Sequence, residues 1–302
     1  LTKVLIDADP GTDDALALMM ALNSSKLSIQ GVTTVGGNAT LRDTTRNALR
    51  LMEHIDRADV PVSRGSARPL MGRYHYGYYY HGPAGLGVRL ATPRTEPHPA
   101  RAPEFIANLG SKLRGELVII ALGPLTNIAR ALAIRPRLAD WTREIVVMGG
   151  AVQLPGNVTP PAEFNVYNDP VAADIVFSSG VPITLVALDV CTQIYVTRDD
   201  MPWPSGETRT ALLTNRILGN WFKTHPDRDR YHLCDPLALA AAIQPDLLTY
   251  RPAKVAVETE DREQLGRTVA QFGDGPIKVA VGVDTERSKA VIRQLLAGSS
   301  AT

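Results

Sequence analysis

Four carboxylates fall within eight residues near the start of the chain: Asp7, Asp9, Asp13 and Asp14, in Ile6-Asp7-Ala8-Asp9-Pro10-Gly11-Thr12-Asp13-Asp14-Ala15. Such a density costs mutual repulsion unless a positive species lies among them. The donors are all oxygen, with no His or Cys nearby, and that points to a hard cation, calcium or magnesium, over zinc. A plainer alternative is structural: Asp13 caps a following helix while Asp7 and Asp9 sit in a solvated turn. Capping accounts for one or two of the four. The segment therefore reads as a cation site where a strand turns into a helix.

The elements that must hold this cluster show in the hydrophobic rhythm. Short β-branched runs alternate with helical patterns: residues 4–7 then a helix from Asp13, 29–35 then a helix from Leu41, 117–122 then 125–134, 145–148 then 170–177, and 183–188. Strands separated by helices imply right-handed crossovers and an α/β fold, an open, mostly parallel sheet with helices on both faces. In such Rossmann-like sheets ligands gather at the carboxyl ends of the strands. Neither a repeat nor a linker-like shift in composition divides the chain, so a single domain is expected over residues 1–302. Two stretches break the rhythm. Residues 66–100 crowd Tyr74, Tyr76, Tyr78, Tyr79 and Tyr80 before His81 and Gly82, and residues 150–168 place Gly156, Asn157, Pro160 and Pro161 before Glu163, Phe164 and Asn165. Both follow strands, so both can reach the ligand edge.

The opening segment alone also suits a magnesium phosphotransferase of the haloacid dehalogenase type, which begins with a strand and Asp-x-Asp. Those enzymes usually carry Thr or Val two residues after the second Asp, where this chain has Gly11, and no later Lys with a second acidic pair after a strand stands out. The rest of the sequence supplies a better match. Val35-Gly36-Gly37-Asn38-Ala39-Thr40, His81-Gly82, Ala121-Leu122-Gly123-Pro124-Leu125-Thr126-Asn127, Val147-Met148-Gly149-Gly150, Gly156-Asn157, Ala162-Glu163-Phe164-Asn165, Asp169-Pro170 and Cys234-Asp235-Pro236 follow in that order. Together with the acidic segment they closely resemble the inosine-uridine nucleoside hydrolase family, from about residue 3 to the final helix. Each motif is weak alone; the ordered set is specific.

The resemblance implies calcium-dependent hydrolysis of the N-glycosidic bond of ribonucleosides. It implies that Asp9, Asp14, Asp235 and the Leu122 carbonyl bind one Ca2+, a set that leaves room in a shell of 6 to 8 oxygens for water and the ribose diol. It further implies that Asp13, Asn38 and Asn165 hold the 2′ and 3′ hydroxyls and that Asn157 and Glu163 hold the 5′ hydroxyl, with Met148, Phe164 and His81 lining the substrate. Taken singly, several have blander readings: Asn38 as a turn residue, Glu163 as a solvated side chain, Asp169 as a helix cap.

Such a reaction passes through an oxocarbenium-like sugar and calls for an activated water, negative charge near the ring and help for the departing base. Asp9 is the candidate base for the water, Asp13 would polarise the 2′ hydroxyl, and Asp7 would support the cluster from behind. Many relatives carry a His directly before the metal-binding Asp-Pro, whereas this chain has Cys234, a variant that leaves help for the base open. Cys234 either serves that step or packs as a small apolar residue. His81 is the candidate donor in its place, with His75, His232 and the tyrosines of residues 74–80 behind it.

Composition excludes other classes. A net charge of +1, from 32 basic and 31 acidic residues, gives no electrostatic footprint for nucleic acid or an anionic membrane, so the expected partner is a small ribonucleoside. Cys191 and Cys234, the only cysteines, are too few and too far apart in sequence to suggest a disulfide framework. A cytoplasmic protein with a role in nucleoside salvage is expected, and the resemblance adds a homodimer or homotetramer. No run of about 20 apolar residues could span a bilayer, and anything upstream of Leu1 stays open. A non-catalytic nucleoside binder is the rival from another class, disfavoured because a binder has no need of Asp9 as a proton acceptor. Base preference is not legible.

Overall fold

A computed structural model describes residues 1–298; the last four positions of the expected domain, 299–302, lie outside the described residues. The strands are β1 (Thr2–Ala8), β2 (Leu27–Thr34), β3 (Val62–Arg64), β4 (Leu117–Ala121), β5 (Thr142–Met148), β6 (Ile183–Val186), β7 (Tyr195–Thr197), β8 (Arg230–His232), β9 (Leu248–Val257), β10 (Thr268–Phe272) and β11 (Ile277–Val283). The helices are α1 (Thr12–Asn23), α2 (Leu41–His54), α3 (Tyr78–His81), α4 (Ala102–Leu113), α5 (Thr126–Ile134), α6 (Leu138–Trp141), α7 (Phe164–Asn168), α8 (Pro170–Phe177), α9 (Leu188–Cys191), α10 (Arg209–Thr224), α11 (Cys234–Ile243) and α12 (Thr285–Leu296).

Nine strands form one sheet in the order β10-β9-β11-β6-β5-β4-β1-β2-β3, while β7 and β8 pair separately. Every neighbouring pair in the large sheet is parallel except those made by β9. The central strands are buried on both faces, which explains their unbroken apolar runs. In β1 the alternation still shows: Val4 and Ile6 join the core on one side of the sheet, and Leu5 joins the core on the other. Of the described helices, none is long and apolar enough to cross a membrane.

The sheet order also locates a crevice. From β1 the chain moves outward through β2 to β3, and from β4 it moves the opposite way through β5 to β6. Connections thus diverge between β1 and β4, the place where an open α/β sheet leaves a ligand gap beyond its carboxyl ends. There Asp7 pairs with Ala121, and the next residues out are Asp9 on one side and Leu122 on the other.

Some boundaries differ from the sequence reading. The first helix begins at Thr12, and the run 183–188 stops as a strand at Val186 because Leu188 opens α9. Within the two irregular stretches lie the short helices α3 and α7. The rhythm read from the sequence ends at residue 188, yet β11 continues the parallel sheet beside β6. Strand β9 alternates buried with exposed residues, a pattern weaker than that of the doubly covered strands.

Candidate active site

Two helix N-termini converge on the crevice. Asp13 and Asp14 lie in the first turn of α1, and Asp235 lies in the first turn of α11. The partial positive charge of a helix start favours carboxylates there. One oxygen from each of Asp13, Asp14 and Asp235 falls within 4.8 Å of the others. The capping alternative is overturned in detail: Gly11 is the N-cap of α1, and Asp14, not Asp13, accepts the N–H of Gly11 at 2.9 Å and that of Asp9 at 3.1 Å. Asp7 and Asp9 are fully buried, not solvated. Asp169 does cap α8, accepting the Ala172 N–H.

Asp9 is clamped from several directions. Its Oδ2 accepts the Asn38 N–H at 2.6 Å, while its Oδ1 is buried with no partner. A Cβ at Gly37 would collide with Oδ2, and one at Gly123 would come within 2.6 Å of Oδ1. This gives both glycine motifs a steric reason to end where they do. Behind Asp9, Asp7 accepts from Thr33 Oγ1 and from Asn127 Nδ2 at 2.8 Å. Burial still pushes Asp7 up to about 7.

Burial first, and then neighbouring carboxylates, hold Asp9 and Asp235 well above the usual range and Asp13 at about 8. Burial also raises Asp14. Asp13 Oδ1, like Asp9 Oδ1, has no partner. Orphaned anionic oxygens, all from hard donors, fit a divalent cation, which would supply the missing charge. A prediction follows for chelated protein. A group ordinarily at 3.8 and raised to about 8 keeps its proton in the fold after the unfolded chain has lost it, so stability falls as pH climbs from about 4 to about 8. Thermal unfolding in chelator should show a lower Tm at pH 8 than at pH 5.5, and added calcium should raise Tm most at pH 8. A flat or rising Tm in chelator would contradict the mutual repulsion.

His81 closes the other side. The Thr12 N–H donates to its Nδ1 at 3.1 Å, the Thr12 Oγ1 lies 2.9 Å from the same atom, and the Tyr231 hydroxyl donates to that Oγ1 at 2.8 Å. An atom that accepts a backbone N–H cannot carry a proton, so the ring is the neutral Nε2–H tautomer. Burial agrees, lowering its pKa to about 3. The 3.8 Å approach of Nδ1 to Asp13 is therefore proximity, not an ion pair. Such a ring can donate a hydrogen bond from Nε2 but holds no spare proton at neutral pH.

These groups share a cavity of about 300 Å³. Its lining includes Asp13, Asn38, Leu122, Asn165 and Asp235, together with Met148, Asn157, Glu163 and Phe164; Asp9 and Asp14 do not line it and reach it through their bonds to Asn38. The protein's own bonds fix what each amide presents. Asn38 Nδ2 donates to Asp14 at 2.8 Å and Asn165 Nδ2 to the Leu122 carbonyl at 2.7 Å, so each keeps Oδ1 as the group left for a ligand; Asn157 Oδ1 accepts the Phe164 N–H at 2.9 Å, leaving Nδ2. Glu163 is buried, not solvated. It caps α7 and accepts the N–H groups of Gly150, Asn165 and Val166.

The remaining wall carries Tyr79, Tyr80, His81, Arg228, His232 and Cys234. His75 does not line it and packs instead on Tyr167. Cys234 lies against the Cys191 thiol, and that contact together with burial pushes it well up as a neutral thiol. The two cysteines are thus neighbours in space despite their separation in sequence, and both are free. Sequence reasoning gave no role to Thr12, though it stands in the acidic segment, and missed Thr192, Arg228 and Tyr231, which stand in no motif; only the fold brings residues 12, 81 and 231 together.

Comparison with known proteins yields a consistent picture. A family model described as inosine-uridine preferring nucleoside hydrolase matches residues 4–290. Uridine nucleosidase 1 of Arabidopsis thaliana is 38% identical over 303 residues, covering 94% of this chain and 90% of that protein. The solved structure of a plant nucleoside hydrolase superposes with a TM-score of 0.93 at 34% identity, covering 98% of this chain and 99% of that one. A purine-preferring ribonucleoside hydrolase from Gardnerella vaginalis gives a TM-score of 0.90 at 31% identity, with 98% of each chain covered.

Proposed function

Because the chain belongs to the inosine-uridine preferring nucleoside hydrolase family and is an N-ribohydrolase acting on N-glycosyl bonds, we propose that it carries out calcium-dependent hydrolysis of ribonucleosides, uridine foremost, to ribose and free base. The observation that carries this reading is the pair of orphaned, buried oxygens on Asp9 and Asp13 beside Asp14 and Asp235. Preference for uridine rests on the named activity of the Arabidopsis relative. The purine-preferring neighbour shares the fold, so architecture alone does not select the base.

Asp9, Asp14, Asp235 and the Leu122 carbonyl would hold Ca2+. When bound, the ion lowers the pKa of water and gathers the ribose diol beside it. Asp9 Oδ1, with Oδ2 fixed by the Asn38 N–H, takes the proton of the attacking water. Asp13 would accept the 2′ hydroxyl, and the carbonyl oxygens of Asn38 and Asn165, whose Nδ2 groups are already committed, would accept from the diol. Asn157 Nδ2 meets the 5′ oxygen. Glu163, with three backbone bonds already made, fixes the turn before α7 and keeps one acceptor position for the 5′ hydroxyl. Carboxylates around the ring offset the positive charge that grows on the sugar as the bond breaks. His81 holds the base by its Nε2–H, and Cys234 packs beside Cys191. The reading includes a cytoplasmic salvage enzyme working as a homodimer or homotetramer, which sedimentation of the purified protein would check.

The test is a panel of uridine, cytidine, inosine and adenosine, with reducing sugar as the readout. Uridine should release ribose, chelation should abolish release, and calcium should restore it, with about one calcium per chain by metal analysis. Undiminished release after exhaustive chelation, or a zinc-loaded protein, would remove calcium from the scheme. Phosphate release from a phosphomonoester, or calcium-dependent binding of uridine without turnover, would replace the hydrolase reading altogether.

A further inference from the structure

Breaking an N-glycosidic bond separates charge: the sugar turns positive and the departing base keeps both electrons of the bond. An acid or a cation has to meet that second charge. The cavity wall is poor in acids for the task. His81 is neutral and holds no spare proton, burial keeps the hydroxyls of Tyr79 and Tyr80 above their ordinary range, and a thiol such as Cys234 is a weak donor. Arg228 is different in kind, as the one permanent cation among the described residues that line the cavity. Its guanidinium lies over the Tyr80 ring, 5.4 Å from the centroid, and Tyr80 in turn meets the His81 ring edge-on at 4.9 Å. The adjacent Asp229 pairs with Arg230 at 3.6 Å, and Arg228 takes part in no ion pair among the described residues.

Position matters as much as charge. Asp235 is buried and Asp13 keeps only 16% of its side chain exposed, whereas Arg228 is exposed and also borders a second surface hollow with Thr197, Pro226 and Asp227. Acids therefore form the floor of the cavity and the guanidinium its rim. A ribose held by the acids would send its base toward that rim, so the field of the site runs along the direction in which charge separates. We infer that Arg228 is a catalytic residue that takes up the charge of the departing base. The C1′–N bond breaks with both electrons going to the base nitrogen, water adds to C1′ and gives its proton to Asp9, and the base leaves as an anion against the guanidinium, to be protonated by solvent. Arg228 keeps its own protons throughout. This deepens the ribohydrolase reading and rests on it, and it accounts for release of the base in a chain with Cys234 in the usual His position.

Loss of one preorganised partner for a developing anion costs roughly a hundredfold. Arg228→Ala should therefore lower kcat on uridine by about a hundredfold, with KM moving far less. On p-nitrophenyl riboside, whose leaving group is a stable anion without help, the same variant should lose at most a few-fold. Arg228→Lys, which keeps the charge, should recover part of the loss on uridine, and Arg228→Gln, which keeps hydrogen-bond donors but no charge, should not. The side chain is exposed, so none of these variants removes a core contact. Native-like kcat in Arg228→Ala, equal losses on the two substrates, a loss confined to KM, or recovery in Arg228→Gln equal to that in Arg228→Lys would overturn the inference, while turnover of uridine by native protein keeps the hydrolase reading intact. No ribose from any nucleoside in native protein would instead overturn the hydrolase reading, and this inference with it.

Discussion

Asp9→Asn should fold normally and lower turnover of uridine by at least about a thousandfold, the scale of a lost general base with part of its electrostatic role. Asn is isosteric, which matters because Gly37 and Gly123 leave no room for a larger group around this side chain. Its carbonyl oxygen can keep the bond to the Asn38 N–H, and that places an NH2 where the unpaired Oδ1 was. An NH2 neither takes a proton from water nor ligates a cation. Asp14, Asp235 and the Leu122 carbonyl would still hold calcium, more weakly. The substitution also removes one of the repelling buried charges, so the chelated variant should melt no lower than chelated native protein. Single-turnover assays at saturating calcium separate the two contributions. Turnover near the native level with calcium bound would take the role of base away from Asp9.

The second large effect is rejection of 2′-deoxyuridine, by at least about a thousandfold in kcat/KM, since sites built around substrate hydroxyls reject analogues that lack them by up to about 10⁴ to 10⁵. Three partners would lose a bond together: the Asp13 carboxylate, which lines the cavity, the Asn165 carbonyl oxygen, and the cation. None can turn elsewhere. Asn165 is pinned by its bond to the Leu122 carbonyl, and Asp13 lies in the rigid first turn of α1. The loss should appear in kcat as much as in KM, because the hydroxyl also helps to gather charge as the sugar becomes cationic. Comparable kcat/KM for uridine and 2′-deoxyuridine would contradict the placement of the ribose at the acidic end.

Much of this was legible in the sequence where chemistry and chain order coincide. The acidic segment, the Gly-Gly-Asn turn and Leu122 each sit at the end of a parallel strand, and strands buried on both faces announce themselves by composition. What could not be read depends on contacts between distant segments. Asp13 and Asp14 are adjacent and of one type, yet Asp14 braces the helix start and Asp13 points an oxygen into the cavity; only the geometry of the turn separates them. The tautomer of His81 is set by Thr12, 69 residues away in sequence. Glu163 looks like an exposed side chain before Phe164 and proves to be a buried cap. The antiparallel pairing of β9 was missed because a strand with one exposed face carries a weaker apolar signal.

The way the site is divided along the chain also sets when it can exist. Asp9, Asp13 and Asp14 precede Leu122 along the chain, and Asp235 follows only after six of the nine strands of the large sheet have been made. A growing polypeptide therefore carries a set of repelling acids with no complete shell to offer an ion. Strand β11, which pairs with β6, emerges later still. A cation held by this set would thus act as a seal on a nearly finished protein, not as a template for a nascent one, and its supply should matter more to the lifetime of the mature chain than to the yield of its synthesis.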